Sequence, residues 1–122
     1  ICKHLSELKL KHVWLWGGTK DARKLQDDFD SDESVRGMVV NHKLGAYALN
    51  LQRANYLLFY ESPVPVIDRE QAERRVRRQG QERKVFQFDL VCRGTVDARI
   101  LSFHAEGQDL LKSLLRDPES VL

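Results

Sequence analysis

Four arginines crowd into the stretch Gln71-Ala-Glu-Arg-Arg-Val-Arg-Arg-Gln-Gly-Gln81, and their spacing sorts them by the chemistry open to each. On a helix, Glu70 stands four residues before Arg74 and Glu73 four before Arg77, the orientation that favours surface ion pairs. Arg75 and Arg78 have no acid three or four places earlier. Together with Gln71 they fall at i, i+4 and i+7, the spacing that aligns side chains on one helical face. A guanidinium is permanently charged and donates two parallel hydrogen bonds to a phosphate, so this face suits an anion outside the helix. The plainer alternative is a solvated basic surface near a helix C-terminus, where cations are favoured in any case.

The rest of the chain narrows that choice. A formal charge of +2 on 122 residues does not by itself point to nucleic acid, but residues 69–84 hold seven Arg/Lys against three Glu, while residues 27–33 are acidic. Such separation is consistent with a phosphate site. Cys2 and Cys92 lie far apart without a CxxC, and His4, His12, His42 and His104 have no metal-ligand spacing, so no metal site or disulfide is expected. Asp28, Asp30 and Asp32 alternate like a calcium loop, yet Glu33 and Val39 occupy the positions needed for its glycine and closing acid. No apolar run approaches the length of a membrane span and no secretion signal opens the sequence. A cytoplasmic location and no membrane partner are therefore expected.

The elements that must carry the arginines follow from periodicity and punctuation. Residues 1–10 read as a helix, 13–16 as a strand stopped by Gly17-Gly18, and Thr19 as the cap of a second helix running through Phe29. Strands are expected at 36–40, at 55–59 (apolar enough for burial on both faces) and at 85–91. The arginine helix is expected over 66–78, ended by Gly80, and a last helix, capped by Thr95, from 96 to about 116 with a break near Gly107. Trp14, Trp16 and Phe59 fall in strand patterns and are expected in the core. Strands alternating with helices imply a parallel sheet covered on both sides, with ligands at the carboxyl ends of its strands.

In this order the motifs resemble, over residues 17–101, the second RecA-like lobe of superfamily 2 helicases, most closely the Swi/Snf-type DNA translocases. Gln71-Ala-x-x-Arg75-x-x-Arg78-x-Gly80-Gln81 resembles their motif VI. Residues 41–51, Asn-His-Lys-Leu-Gly-Ala-Tyr-Ala-Leu-Asn-Leu, resemble motif V, with Ala46 and Ala48 where the family usually has glycine. Residues 56–60 with the following proline loop, Arg93-Gly94-Thr95-Val96 ahead of Ile100-Leu101, and Gly17-Gly18-Thr19 with Arg23 and Phe29 also follow the family.

The resemblance implies an α/β, three-layer RecA-like domain over residues 1–122, with a parallel sheet flanked by helices and the lobe's first strand missing. It implies half of a composite ATPase. Arg75 and Arg78 would be arginine fingers. Gln71, Asn50 and Gly45 would serve ATP binding, and Gly18, Thr19, His42 and Lys43 would contact DNA through its backbone with little sequence preference. The chain has no GxxxxGK(S/T) motif, so the phosphate-cradling loop and the acid holding Mg2+ would belong to an N-terminal RecA-like lobe of the same protein, and this chain alone would be inactive. A lobe kept as a nucleic-acid or protein interaction module, and a motor serving a nuclease-linked restriction or phage-type system, are the competing readings.

Overall fold

The computed structural model describes residues 1–41, 49–107 and 115–116. The elements run α1 (Cys2–Glu7), β1 (His12–Leu15), α2 (Ala22–Ser31), β2 (Gly37–Val40), β3 (Tyr56–Phe59), α3 (Val66–Val76), β4 (Phe86–Asp89) and α4 (Asp97–Ala105). All four expected strands are present, and their pairing is parallel. β1 runs beside β2, with His12 opposite Gly37 and Leu15 opposite Val40. β3 runs beside β4, with Tyr56 opposite Phe86 and Phe59 opposite Asp89.

Among the described residues these are two ladders and not one continuous sheet. Every residue of β2 and of β3 lines a single groove of about 710 Å³, with Ile1 and Leu5 of the N-terminal segment on its wall. No helix of the described residues is long and apolar enough to cross a membrane.

Burial follows the two-residue period of a strand. Val13 and Leu15 turn inward against α2, where Val13 clusters with Phe29 and Val35 and Leu15 with Leu49. Leu25 and Leu51 pack on both clusters and join them. The same period corrects the expectation for the tryptophans. Trp14 and Trp16 point away from α2 and are 53% and 51% exposed, stacked on each other at 5.9 Å. Only Phe59 of the three expected core aromatics is buried. β3 is likewise covered on one side only, since Tyr56 and Leu58 are exposed while Phe59 is not.

Several helix ends differ from the sequence expectation, each for a local reason. α1 stops at Glu7 because Lys9 adopts φ 56°, and the N–H groups of Lys9 and Leu10 donate to Ser6 O and Leu5 O, both at 2.9 Å. That is a Schellman turn, built on a residue other than glycine. α2 is capped by Asp21, whose carboxylate accepts from Lys24 N at 2.9 Å, and Thr19 lies outside it. α4 starts at Asp97 with Val96 rather than Thr95 as its N-cap and no side-chain cap bond, the Thr95 hydroxyl accepting from Asp97 N at a long 3.3 Å; the helix ends at Ala105, before Gly107 at φ 67°, and residues 108–114 of the longer expected helix lie outside the described residues.

The acidic loop has a structural use. Asp32 accepts from Lys11 Nζ at 2.6 Å and from Ser34 N at 2.9 Å, and these bonds, Lys11 first, hold its carboxyl well below the usual carboxylate range.

Candidate functional site

The arginine segment begins as a helix and ends as a turn. Pro65 is the N-cap of α3, in the extended backbone usual at that position, and Asp68 occupies the first turn, where an acid is favoured. α3 ends at Val76, with Arg77 as its C-cap donating N–H to Glu73 O at 2.8 Å. Arg78 therefore lies beyond the helix, in a turn closed by Gln81 N to Arg78 O at 3.0 Å. The expectation that Arg75 and Arg78 share one helical face fails for Arg78. The grouping survives by another route: Gln71, Arg74, Arg75 and Arg78 together line a recess of about 210 Å³. Arg74 was not expected there. Its ion pair with Glu70, at 3.5 Å, is present as the spacing suggests, but both partners are exposed and such pairs hold weakly. Arg75 is partly buried and also borders the large groove.

The turn depends on Gly80, which sits at φ +93°. A Cβ there would meet Gln52 Nε2 at 2.5 Å. Gly80→Ala is expected to lower stability by about 1–2 kcal/mol, the cost of a left-handed backbone for a residue with a Cβ. A denaturation midpoint unchanged from wild type would show that the turn has another conformation open to it.

The second expected ion pair, Glu73 with Arg77, is not formed. Glu73 instead accepts from Arg69 Nε at 3.0 Å and from Gln87 Nε2 at 2.9 Å. Arg69 is the residue that sequence reasoning missed, having been counted only as part of a basic segment. It is 8% exposed. Its guanidinium donates to both oxygens of Asp89, at 2.7 and 2.9 Å, and to Ser62 Oγ at 2.8 Å, and lies 4.4 Å from the centre of the Phe59 ring. The hydrogen bond to Asp89, ahead of Glu73, raises its pKa further in spite of its burial. Glu73 has arginine four residues away in both directions, and the acid closing β4 was the available clue to which one it serves.

The remaining candidates are spread over neighbouring elements. Asn50 does not line the recess. Its backbone exchanges two bonds with Gln26 of α2, Gln26 Nε2 to Asn50 O at 2.7 Å and Asn50 N to Gln26 Oε1 at 3.2 Å. Thr19 closes a turn on Trp16, donating N–H to Trp16 O and accepting from Trp16 N, both at 2.9 Å. Gly18 lies under the Trp16 indole, which a Cβ would meet at 2.3 Å. His42, Lys43 and Gly45 lie outside the described residues. Among the described residues no three His, Cys, Asp or Glu gather.

The parallel α/β fold is shared with ATPases of known sequence and structure. No family model matches the chain. The ATP-dependent helicase fft1 of Schizosaccharomyces pombe is 29% identical over 119 residues, which cover 96% of this chain and 13% of fft1. The chromatin-remodeling ATPase INO80 of Pyricularia oryzae is 35% identical over 101 residues, 80% of this chain and 5% of INO80. A crystal structure of the C-terminal part of the Fun30 ATPase domain superposes with a TM-score of 0.77 at 27% identity, covering 84% of this chain and 33% of that one. In sequence and fold, the chain is thus related over most of its length to the C-terminal ATPase lobe of Snf2/INO80/Fun30-type helicases of superfamily 2. It spans a fifth or less of the length of the curated relatives it matches.

The relatives overturn the cytoplasmic expectation. INO80 of Pyricularia oryzae and of Homo sapiens are named chromatin-remodeling ATPases, and chromatin remodelling takes place in the nucleus. The physical reason is simple: lack of a span or secretion signal separates membrane and secreted proteins from the rest, and does not distinguish nucleus from cytoplasm.

Proposed function

We infer that this chain works as the second lobe of an ATP-dependent DNA translocase or helicase, completing with a first lobe a site for ATP hydrolysis. The observation that carries this is the recess in which Gln71, Arg75 and Arg78 converge. Its donors fit the oxygens of a transferring phosphoryl group, whose charge spreads over three equatorial positions. Arg75 and Arg78 would bind those oxygens as arginine fingers, and Gln71 would orient the nucleotide or the arginines. The lining offers guanidiniums and an amide but no carboxylate, so Mg2+ fits the first lobe's share of the site. Asn50, bonded to α2 rather than set in the recess, would act on the nucleotide through the segment it belongs to, together with Gly45.

The groove between β2 and β3 supports the domain reading. β2 and β3 both line it, and among the described residues neither pairs with a strand on its other edge; an unpaired edge is a template for another strand. One further strand, from polypeptide outside these 122 residues, would join them into one sheet in which β2 and β3 flank the newcomer.

DNA would be held at Gly18, Thr19, His42 and Lys43. Contacts of this kind read phosphates, so the logarithm of the affinity for duplex DNA should fall linearly with log salt concentration, and affinity should vary little with base sequence. Lys43→Ala is expected to reduce the slope by about one. A slope unaffected by Lys43 would remove that residue from the interface. The overall reading is tested by DNA-stimulated ATP hydrolysis in the full-length protein carrying changes at Arg75 and Arg78.

A further inference from the structure

We propose that Gln81 is a positioning residue for the arginine pair, fixing the turn that carries Arg78 to the segment that carries Asn50. The inference rests on the function proposed above and adds a residue to it. Gln81 is partly buried, and its side-chain amide donates to three main-chain carbonyls: Gln52 O at 2.9 Å, Ala54 O at 2.9 Å and Val76 O at 3.2 Å. The amide has two hydrogens, so one of them is shared. Val76 is the last residue of α3, while Gln52 and Ala54 lie far away in sequence, between Asn50 and β3. One side chain therefore ties both ends of the arginine turn to a different stretch of chain.

Two further bonds run between the same stretches. Leu51 N donates to Arg75 O at 3.2 Å, and Gln52 Nε2 donates to Gln79 O at 3.4 Å. Residues 50–54 are in turn fastened to α2. Gln26 exchanges bonds with the Asn50 backbone, and the Arg53 guanidinium donates to the carbonyls of Phe29, Asp32 and Val35 near the end of α2. A rigid polar frame thus runs from α2 through residues 50–54 to the arginine turn, and Gln81 supplies its densest joint. Arg78 has no helix to hold it, so this joint sets the main-chain position from which its guanidinium projects. Groups that act only in the transition state must be held to a fraction of an ångström before the reaction.

The test uses the full-length protein with Gln81→Met, which keeps the length of the side chain and removes its donors. kcat for DNA-stimulated ATP hydrolysis should fall roughly tenfold to a hundredfold, with KM for ATP within about twofold of wild type, as expected when an interaction confined to the transition state is lost. Binding of ADP–aluminium fluoride, which imitates the transferring phosphoryl group, should weaken by a similar factor, while ADP–beryllium fluoride, which imitates bound ATP, should bind as in wild type. Equal weakening of both analogues in folded Gln81→Met would show a general loss of nucleotide binding rather than misplaced arginines, and that outcome would overturn the proposal. If Gln81→Met does not fold, Gln52→Met removes only the Gln79 bond and should show the same selective loss at smaller size; its absence would likewise overturn the proposal. Arg75→Ala and Arg78→Ala are measured alongside. If they abolish hydrolysis and Gln81→Met does not slow it, the positioning role alone fails. If they leave turnover normal, the arginine-finger reading fails and the role of Gln81 falls with it.

Discussion

Arg75→Ala or Arg78→Ala in the full-length protein is expected to lower DNA-stimulated ATP hydrolysis by about a thousandfold or more, the contribution associated with arginine fingers. Both guanidiniums line one recess with Gln71. In the proposed site each neutralises charge that grows on the phosphoryl oxygens as the bond to the leaving group breaks. Because residues that act as a unit are far from additive, the double variant should be little worse than either single one. Lysine should restore little, since an ammonium lacks the planar fork that bonds two oxygens at once. The fold should survive. Arg78 is exposed and stands outside α3, while Arg75 is partly buried in the last turn, where loss of its charge forfeits about 1–2 kcal/mol of helix-terminus stabilisation. ATP affinity near wild type with turnover lost would match the account, and normal turnover in either variant would remove that arginine from the site.

The largest effect on stability is expected at Arg69. Its guanidinium is nearly inaccessible and joins α3 to the end of β4 through the two-pronged contact with Asp89, reinforced by Glu73 and Ser62. Arg69→Ala would leave two carboxylates packed together without their cation. Breaking one side of a buried pair typically costs about 3–5 kcal/mol, much of it the penalty for the stranded partner. The same physics predicts a rescue: Arg69→Met combined with Asp89→Leu and Glu73→Gln removes the stranded charges and should recover a large part of the loss. Urea unfolding with the midpoint followed at constant m would measure both. A shift below about 1 kcal/mol for Arg69→Ala would show that the cluster behaves as a surface pair.

Much of this architecture was legible in the residues. Short apolar runs marked β1 to β4, and their alternation with helices indicated parallel pairing, as observed. The start of α3 at Val66 followed from the prolines before it. The misreadings share a cause: each depended on which neighbour a side chain meets across the fold. Glu73 has arginine on both sides at helical spacing, and only the position of Asp89 decides for Arg69. Trp14 looks like core until period two sends Val13 and Leu15 to α2 instead. Arg78 appeared to extend a helical face, but a turn with Gly80 at positive φ and Gln81 bonded back to Val76 stops the helix first. In the candidate site, sequence identified Gln71, Arg75 and Arg78 as a group. It gave no hint that Arg74 lines the same recess or that Gln81 anchors the turn, since hydrogen bonds to distant main chain leave no periodic trace.

The most direct test is a crystal structure of the full-length protein with ADP–aluminium fluoride and Mg2+ bound between its lobes. The guanidiniums of Arg75 and Arg78 are expected at hydrogen-bond distance, about 2.7–2.9 Å, from the fluoride ligands that stand for the phosphoryl oxygens. The same two side chains turned to solvent or paired with carboxylates, while another residue meets the fluorides, would contradict it.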